Sequence, residues 1–310
     1  MELRQLRYFV AIARQGSLSK AAGEIFIAQS ALSYQLAQLE AEVGSELLQR
    51  LPRGVQLTEA GRAFLPHAIS VLKQAEDAKA SVAAVLGKPI GKVTFGLPPS
   101  LCGVLPLPLL MAVRSALPGV ELELTEEMTT SLSSQLRDGS IDLAILFEDG
   151  TLNEFSSYPL MREEMFLVSR KDVEAKSNIT FEKALSLPLL LPARKQGVRP
   201  IIETLARKLG LPPPNVVGEI NSVLILRSTL VAGLGHTLTT AMAVQPDVAN
   251  GQLALTRIED ISFYRTLVLC TLRQAPLTAA AAAVLAIAMS VASDLLASRA
   301  WIGGQAVEEN

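Results

Sequence analysis

The sequence predicts an α/β protein with a helical N-terminal unit, one long helix and a two-lobed α/β region, and three observations carry that prediction. Residues 2–43 place apolar side chains at helical spacing in three consecutive runs. Residues 58–86 continue the spacing without a break, and from Gly91 onward short β-rich runs alternate with helices. The length, 310 residues, exceeds one ordinary domain, and 49% hydrophobic against 19% charged residues excludes a disordered or fibrous chain.

Leu3, Leu6, Phe9, Val10 and Ala13 form the apolar stripe of a first helix over 2–15, ended by Gly16. Ser19 is placed to cap a second, short helix over 20–26, in which Ala21, Ala22 and Ile25 permit a close crossing. A third helix is expected over 29–43, with Leu32, Leu36, Leu39 and Val43 buried. Its opposite face carries Ser30, Ser33, Tyr34, Ala37, Gln38 and Ala41. A solvated face is ordinarily rich in Lys and Glu, whereas insertion into a DNA major groove needs short side chains with amides and hydroxyls. Alone, such a face equally suits packing on a partner protein. A short helix, a brief turn and a longer helix with an uncharged face form a helix-turn-helix, whose second helix reads DNA. Residues 49–57 add a hairpin wing around a Pro-Arg-Gly turn, with Arg50 and Arg53 at its tip as phosphate contacts.

Thr58 begins a helix expected to reach residue 86, roughly 40 Å long, with Pro66 kinking it. Gly61, Phe64, Ala68, Val71, Ala75, Ala78, Val82 and Val85 form a heptad seam. With no other partner expected in residues 1–88, the seam predicts pairing with a second subunit, a twofold homodimer suited to a palindromic double-stranded DNA operator.

Beyond Gly91, strands over 93–97, 120–126 and 143–147 alternate with helices near 104–116 and 131–138, which predicts a mainly parallel sheet. A second α/β segment over 163–264 contains strands at 166–169 and 189–191 and helices near 199–209 and 223–232. A last strand at 266–272 and an Ala-rich helix return the chain to the first lobe. The expected division is 1–58 for DNA binding, 59–88 for dimerisation and 89–310 for regulation, with lobe one about 89–162 and 265–300 and lobe two about 163–264. Ligands of such sheets bind beyond the carboxyl ends of the strands. Pro99, Ser100, Thr129, Thr130, Ser131 and Ser222 sit at those positions, individually as helix caps and together as candidates for a small-molecule site.

Net charge is −2; residues 1–88 hold 10 Lys and Arg against 8 Asp and Glu, leaving 18 against 22 for the rest, so charge contributes little to the DNA-binding argument. Cys102 and Cys270 lack metal-ligand spacing and suit reduced, packed thiols in the cytoplasm. No signal peptide is expected, and the unbroken apolar part of the Ala-rich helix, 279–289, is 11 residues, short for a membrane span. His67 and His236 adjoin no nucleophile motif, and Gly233-Leu234-Gly235 lacks the third glycine of a dinucleotide fingerprint, so no catalytic residue, metal or cofactor is expected. A solute-binding protein remains the alternative suggested by the two lobes.

The runs LRYFVAIARQGSLSKAA, AQSALSYQLAQLEAEVG and LTEAGRAFLPHA, with SIDLAIL at 140–146 and VAGLGHTL at 231–238, resemble the LysR-type transcriptional regulators along the whole chain. ELRQLRYFV, IAQSALS and PLLMAVRSALPGVELEL are similar to the nitrogen assimilation control branch. The resemblance implies a winged helix-turn-helix, a dimerising linker helix and a regulatory domain like periplasmic binding proteins, usually in a homotetramer that acts on RNA polymerase. It implies DNA contacts from Gln29, Ser33, Tyr34 and Gln38, with Arg50 and Arg53 on the wing, and an effector cleft lined by Ser100, Thr129 and Ser222. The helix face adds Ser30 to the expected DNA contacts, and the strand ends add Pro99 and Ser131 to the expected cleft. Ser30 stands where the family commonly has Pro, Ala28 where a capping Ser is common, and Thr239 and Thr240 where Pro is usual.

Overall fold

A computed structural model describes residues 1–51, 54–85, 89–150, 152–171, 178–194, 196–274 and 277–307, with the side chains of 79–85 outside the description. The chain forms two compact units, one built on residues 1–88 with 135–140 and the other on 89–134 and 141–310.

The first unit runs α1 (Leu3–Gln15), α2 (Leu18–Glu24), α3 (Gln29–Val43), β1 (Leu48–Leu51), β2 (Gly54–Leu57) and α4 (Glu59–Val85). The Gln5 side chain accepts from the Glu2 backbone N–H at 2.8 Å and so supports the start of α1. Leu6, Phe9 and Ile12 meet Ala21, Leu32, Leu39 and Leu47 in a core where each is at most 1% exposed. Burial of one such large side chain contributes about 1.5–3 kcal/mol. The buried stripe of α3 stops at Leu39, because Val43 lies beside the terminal Gly44 and is 39% exposed.

The second helix begins earlier than its sequence suggests. Ser17, not Ser19, caps it, accepting from the Lys20 N–H at 3.4 Å. Its end is a Schellman turn: the Ile27 N–H reaches back to the Ala22 carbonyl at 3.1 Å, and Phe26 between them takes φ +55°. A bulky residue in that left-handed conformation costs about 1–2 kcal/mol, and burial returns nothing because Phe26 is 93% exposed. Phe26→Gly is therefore expected to stabilise the N-terminal unit by about 1 kcal/mol. A melting temperature at or below that of the parent in calorimetry would contradict this account.

The 27-residue α4 continues through Pro66. Its seam is used differently from the sequence expectation. The Phe64 ring packs on Phe9 at 5.5 Å between centroids, Ala68 is 1% exposed inside the same core, and Arg7 pairs with Glu76 at 2.9 Å. The first half of the helix thus finds its partner in α1 of its own chain. Val71, at 41% exposure, and Ala78 remain outward, while the side chains of Val82 and Val85 lie outside the described residues.

The second unit runs β3 (Gly91–Leu97), a 3-10 turn (Pro99–Leu101), α5 (Pro106–Ala116), β4 (Val120–Glu126), α6 (Thr129–Arg137), β5 (Leu143–Phe147), β6 (Phe155–Arg170), β7 (Asn178–Ile179), α7 (Phe181–Ser186) and β8 (Leu189–Leu191). It continues with α8 (Arg199–Lys208), β9 (Val216–Glu219), α9 (Val223–Val231), β10 (Thr237–Thr240), α10 (Ala241–Ala249), β11 (Leu253–Ile258), β12 (Tyr264–Leu272), α11 (Ala279–Ala297) and β13 (Gly304–Gln305). The sheet is mixed, not mainly parallel. β4, β3 and β5 are parallel neighbours, whereas β12 is antiparallel to β5 and β6.

The 16-residue β6 connects the lobes. Its first part pairs with β12 from Phe155 to Glu164; its last part lies between β10 and β11 from Met165 to Arg170. A register shift between Leu267 and Val268 accommodates Pro159 and Leu160 opposite β12. β13 then lines the other side of β6 at Arg162 and Glu163. By length and composition α11 is apolar enough to cross a membrane. In the structure its Ala281, Val284, Ala288 and Ala292 lie on the core formed by β3, β5, β12 and α5.

Candidate functional site

Two surfaces bring together the residues singled out in the sequence, one in each unit. On the first, α3 presents Gln29, Ser30, Tyr34, Ala37 and Gln38 to solvent, with Ser33 half-buried. The N-cap position of α3 is Ala28, which offers no side-chain bond to the first turn. That turn is held instead through Gln29, whose side-chain oxygen accepts from the Ser19 hydroxyl at 2.9 Å.

The wing touches the same face. Arg50 on β1 donates from Nη2 to Ser33 Oγ at 2.7 Å, which leaves the Ser33 proton free for an outside acceptor. Arg53 lies outside the described residues. The wing is seated by close backbone contacts: the Val55 N–H bonds the Gly16 carbonyl at 2.8 Å and the Thr58 N–H bonds the Leu47 carbonyl at 3.0 Å. The resulting helix face is short, neutral and rich in donors and acceptors, with a guanidinium beside it, as groove reading flanked by a phosphate contact requires.

In the second unit a pocket encloses about 540 Å³ of empty space, its open mouth included. Pro98, Pro99 and Ser100 follow β3, Met128 and Thr129 begin α6, and Ser222 and Val223 begin α9. Four of the five residues expected in the cleft line it: Pro99, Ser100, Thr129 and Ser222. Ser131 does not. α6 starts at Thr129, earlier than its sequence suggests, so Ser131 is turned about 200° round the helix from the residue that does line the pocket.

The sequence reading missed Arg265, Thr237 and Asn221, which complete the polar wall, and Phe147 and Leu238, which complete the apolar one. Thr239 also lines the pocket, and Thr240 bonds Arg265 from behind it. Arg265 is 3% exposed; its Nε meets Glu163 at 2.6 Å and its Nη2 meets Ser100 Oγ at 2.9 Å and Thr240 Oγ1 at 3.2 Å. The guanidinium carbon lies 4.3 Å from the Phe147 ring centre. A cation inside the otherwise uncharged run YRTLVLCTL is the sequence signal that could have found it.

The remaining candidates lie apart from the pocket wall. His236 is half-buried, with Nδ1 2.6 Å from Ser169 Oγ, and burial lowers its pKa, so it stays neutral near pH 7. His67 is exposed on α4. Burial, with help from Glu126, pushes the Cys102 thiol up to about 12, and burial pushes Cys270 up to about 11. Both thiols are therefore held protonated and unreactive at neutral pH.

With the geometry in place, the family models match both units: the bacterial regulatory helix-turn-helix protein of the lysR family over residues 3–62, and the LysR substrate binding domain over residues 86–293. The chain belongs to the LysR family of transcriptional regulators. This regulator is 36% identical to the nitrogen assimilation regulatory protein nac of Klebsiella aerogenes, covering 94% of this chain and 96% of that one. It is 33% identical to the protein of the same name from Escherichia coli K12, covering 97% and 99%. A full-length OxyR variant from Pseudomonas aeruginosa shares the fold, with a TM-score of 0.74 at 21% identity over 100% of this chain and 99% of that one. Both match regions contain the surfaces described above, so the LysR-type regulator carries its helix face in the first and its pocket in the second.

Proposed function

We propose that residues 1–58 of this LysR-type regulator read an operator in double-stranded DNA, that 59–88 pair subunits, and that 89–310, in two lobes divided near 162 and 265, bind a small-molecule effector. The observation that carries the reading is the exposed, uncharged face of α3, with Arg50 anchored beside it on Ser33. Gln29, Ser30, Ser33, Tyr34 and Gln38 meet base edges; Arg50, with Arg53, meets phosphate. Pro99, Ser100, Thr129 and Ser222 contact the effector.

The working form is a cytoplasmic homodimer or homotetramer acting on RNA polymerase at its promoter. Besides Val71 on α4, exposed Leu107, Leu110 and Met111 on α5 and Leu224 and Ile225 on α9 support self-assembly, because apolar surface grouped on helices is stabilised when covered.

The test is binding of purified protein to its own upstream DNA across a salt series. Gln38→Ala is expected to cost about 1–3 kcal/mol on the preferred operator and little on unrelated DNA. Arg50→Ala is expected to weaken binding to all sequences and to lower the salt slope by about 1. Equal losses on every sequence for both variants would refute the assigned roles, and absence of any sequence preference in the parent would remove the reading.

A further inference from the structure

The donors and acceptors of the pocket are not balanced. No Asp or Glu occurs among the described lining residues. Ser100 Oγ already accepts from Arg265, and Ser222 Oγ accepts from the Ile225 N–H at 3.4 Å, so the hydroxyl protons of both remain to be donated. Thr237 spends its proton on the Leu190 carbonyl at 2.7 Å.

Arg265 adds the charge. Glu163 holds the Nε and Nη2 edge of the guanidinium, and Glu163 is itself outside the pocket wall, so the cavity meets the cation without its counter-ion. Nη1 donates to none of the described residues, and Arg265 is among the residues that line the cavity. The first turns of α6 and α9, each nine residues long, also open on the pocket and add the positive ends of their dipoles.

We infer that the effector is a small carboxylate with an apolar body, its carboxylate against Arg265 Nη1 and the Ser100 hydroxyl, its body against Met128, Phe147, Ile220 and Leu226. This rests on the effector reading above and assigns the chemical class that reading leaves open. Arg265 is the specificity-determining residue. A neutral ligand of the same shape gains the apolar contacts and forfeits the charge-assisted bonds.

The protein carries its own reporter. Trp301 is the sole tryptophan, 2% exposed, and its Nε1 donates to Glu163 Oε1 at 2.8 Å. Glu163 thus joins Arg265 on one oxygen to the indole on the other, at the place where β13 pairs with β6 beyond the 86–293 family match. An anion that shares Arg265 loosens its hold on Glu163, and the indole registers the change.

The experiment titrates the full-length protein with butyrate, benzoate and phenylacetate and with the three corresponding primary amides, reading tryptophan emission and melting temperature. At least one acid is expected to saturate both signals, about tenfold or more tighter than its amide. Ser100→Ala is expected to weaken that acid several-fold and its amide less, because the bond to the anion is the stronger one. Glu163→Gln with Arg265→Gln, which removes both charges together, is expected to abolish the preference for acid over amide. An acid and amide of equal affinity in the parent, or an acid preference that survives both variants, overturns the assignment. Amides that bind where acids do not overturn the carboxylate class and leave the effector pocket standing. If neither class binds a protein that still recognises its operator, the pocket reading falls as well.

Discussion

Gly61→Ala is expected to destabilise the N-terminal unit by about 3 kcal/mol and to weaken operator binding with it. A Cβ at position 61 would stand 1.9 Å from the Leu47 carbonyl oxygen and 3.0 Å from Leu57 Cδ2. The first obstacle is backbone, and it is fixed from two sides: Leu47 is 0% exposed, and its carbonyl accepts the Thr58 N–H at 3.0 Å. The Gly61 N–H is also bonded to Thr58 Oγ1 at 2.9 Å, so the helix start cannot move away without losing its cap. Gly23→Ala is the internal control. It lies within α2 with nothing within 4 Å of the added carbon, and the better helix propensity of Ala should stabilise by up to about 1 kcal/mol. The two variants add the same methyl group, so opposite signs in calorimetric unfolding of the full chain isolate the close approach. Parent-like melting of Gly61→Ala would sink the argument.

That glycine shows where the sequence was legible and where it was not. Helical periodicity located α3 at both ends, and short β-rich runs placed β4 and β5, because each has a strong pattern bounded by turn residues. The same periodicity put Gly61, Phe64 and Ala68 on a seam for a second subunit, yet a seven-residue repeat does not say which chain supplies the partner. Here α1 supplies it for Phe64, and Leu47 occupies the space above Gly61. In the second unit, residues 155–164 include Ser156, Ser157, Pro159 and Arg162 and lack alternation, so only the last part of β6 was legible. Partners distant in sequence, β12 and β13, turn that segment into a strand.

The pocket divides in the same way. Ser100, Thr129 and Ser222 were accessible from sequence because strand ends in α/β sheets mark ligand sites whatever the details of packing. Arg265 was not, because its meaning depends on Glu163, 102 residues away in the chain, and on Trp301 near its end. Ser131 lies off the pocket wall because α6 begins two residues earlier than its sequence suggests, and helix ends vary by that much.

The ion pair at the pocket yields the second large effect. Arg265→Gln alone is expected to destabilise the second unit by about 3–5 kcal/mol, because it strands a carboxylate in the interior. Glu163 is 0% exposed, and once the guanidinium is gone the Trp301 indole at 2.8 Å is the side-chain partner that still holds it. Charges removed together behave differently. A buried pair regains in mutual attraction little more than its desolvation cost, so the neutral double variant Glu163→Gln, Arg265→Gln should lie within about 1–2 kcal/mol of the parent. The amide at 163 can still accept from Trp301, and the amide at 265 can still reach Ser100 or Thr240. Urea unfolding followed through Trp301 measures the cycle directly, since the indole sits on the carboxylate in question. A coupling energy near zero, with the double variant as unstable as the single ones combined, would mean that Arg265 and Glu163 are held in place by their surroundings and not by each other, and the relay from pocket to tryptophan would lose its middle link.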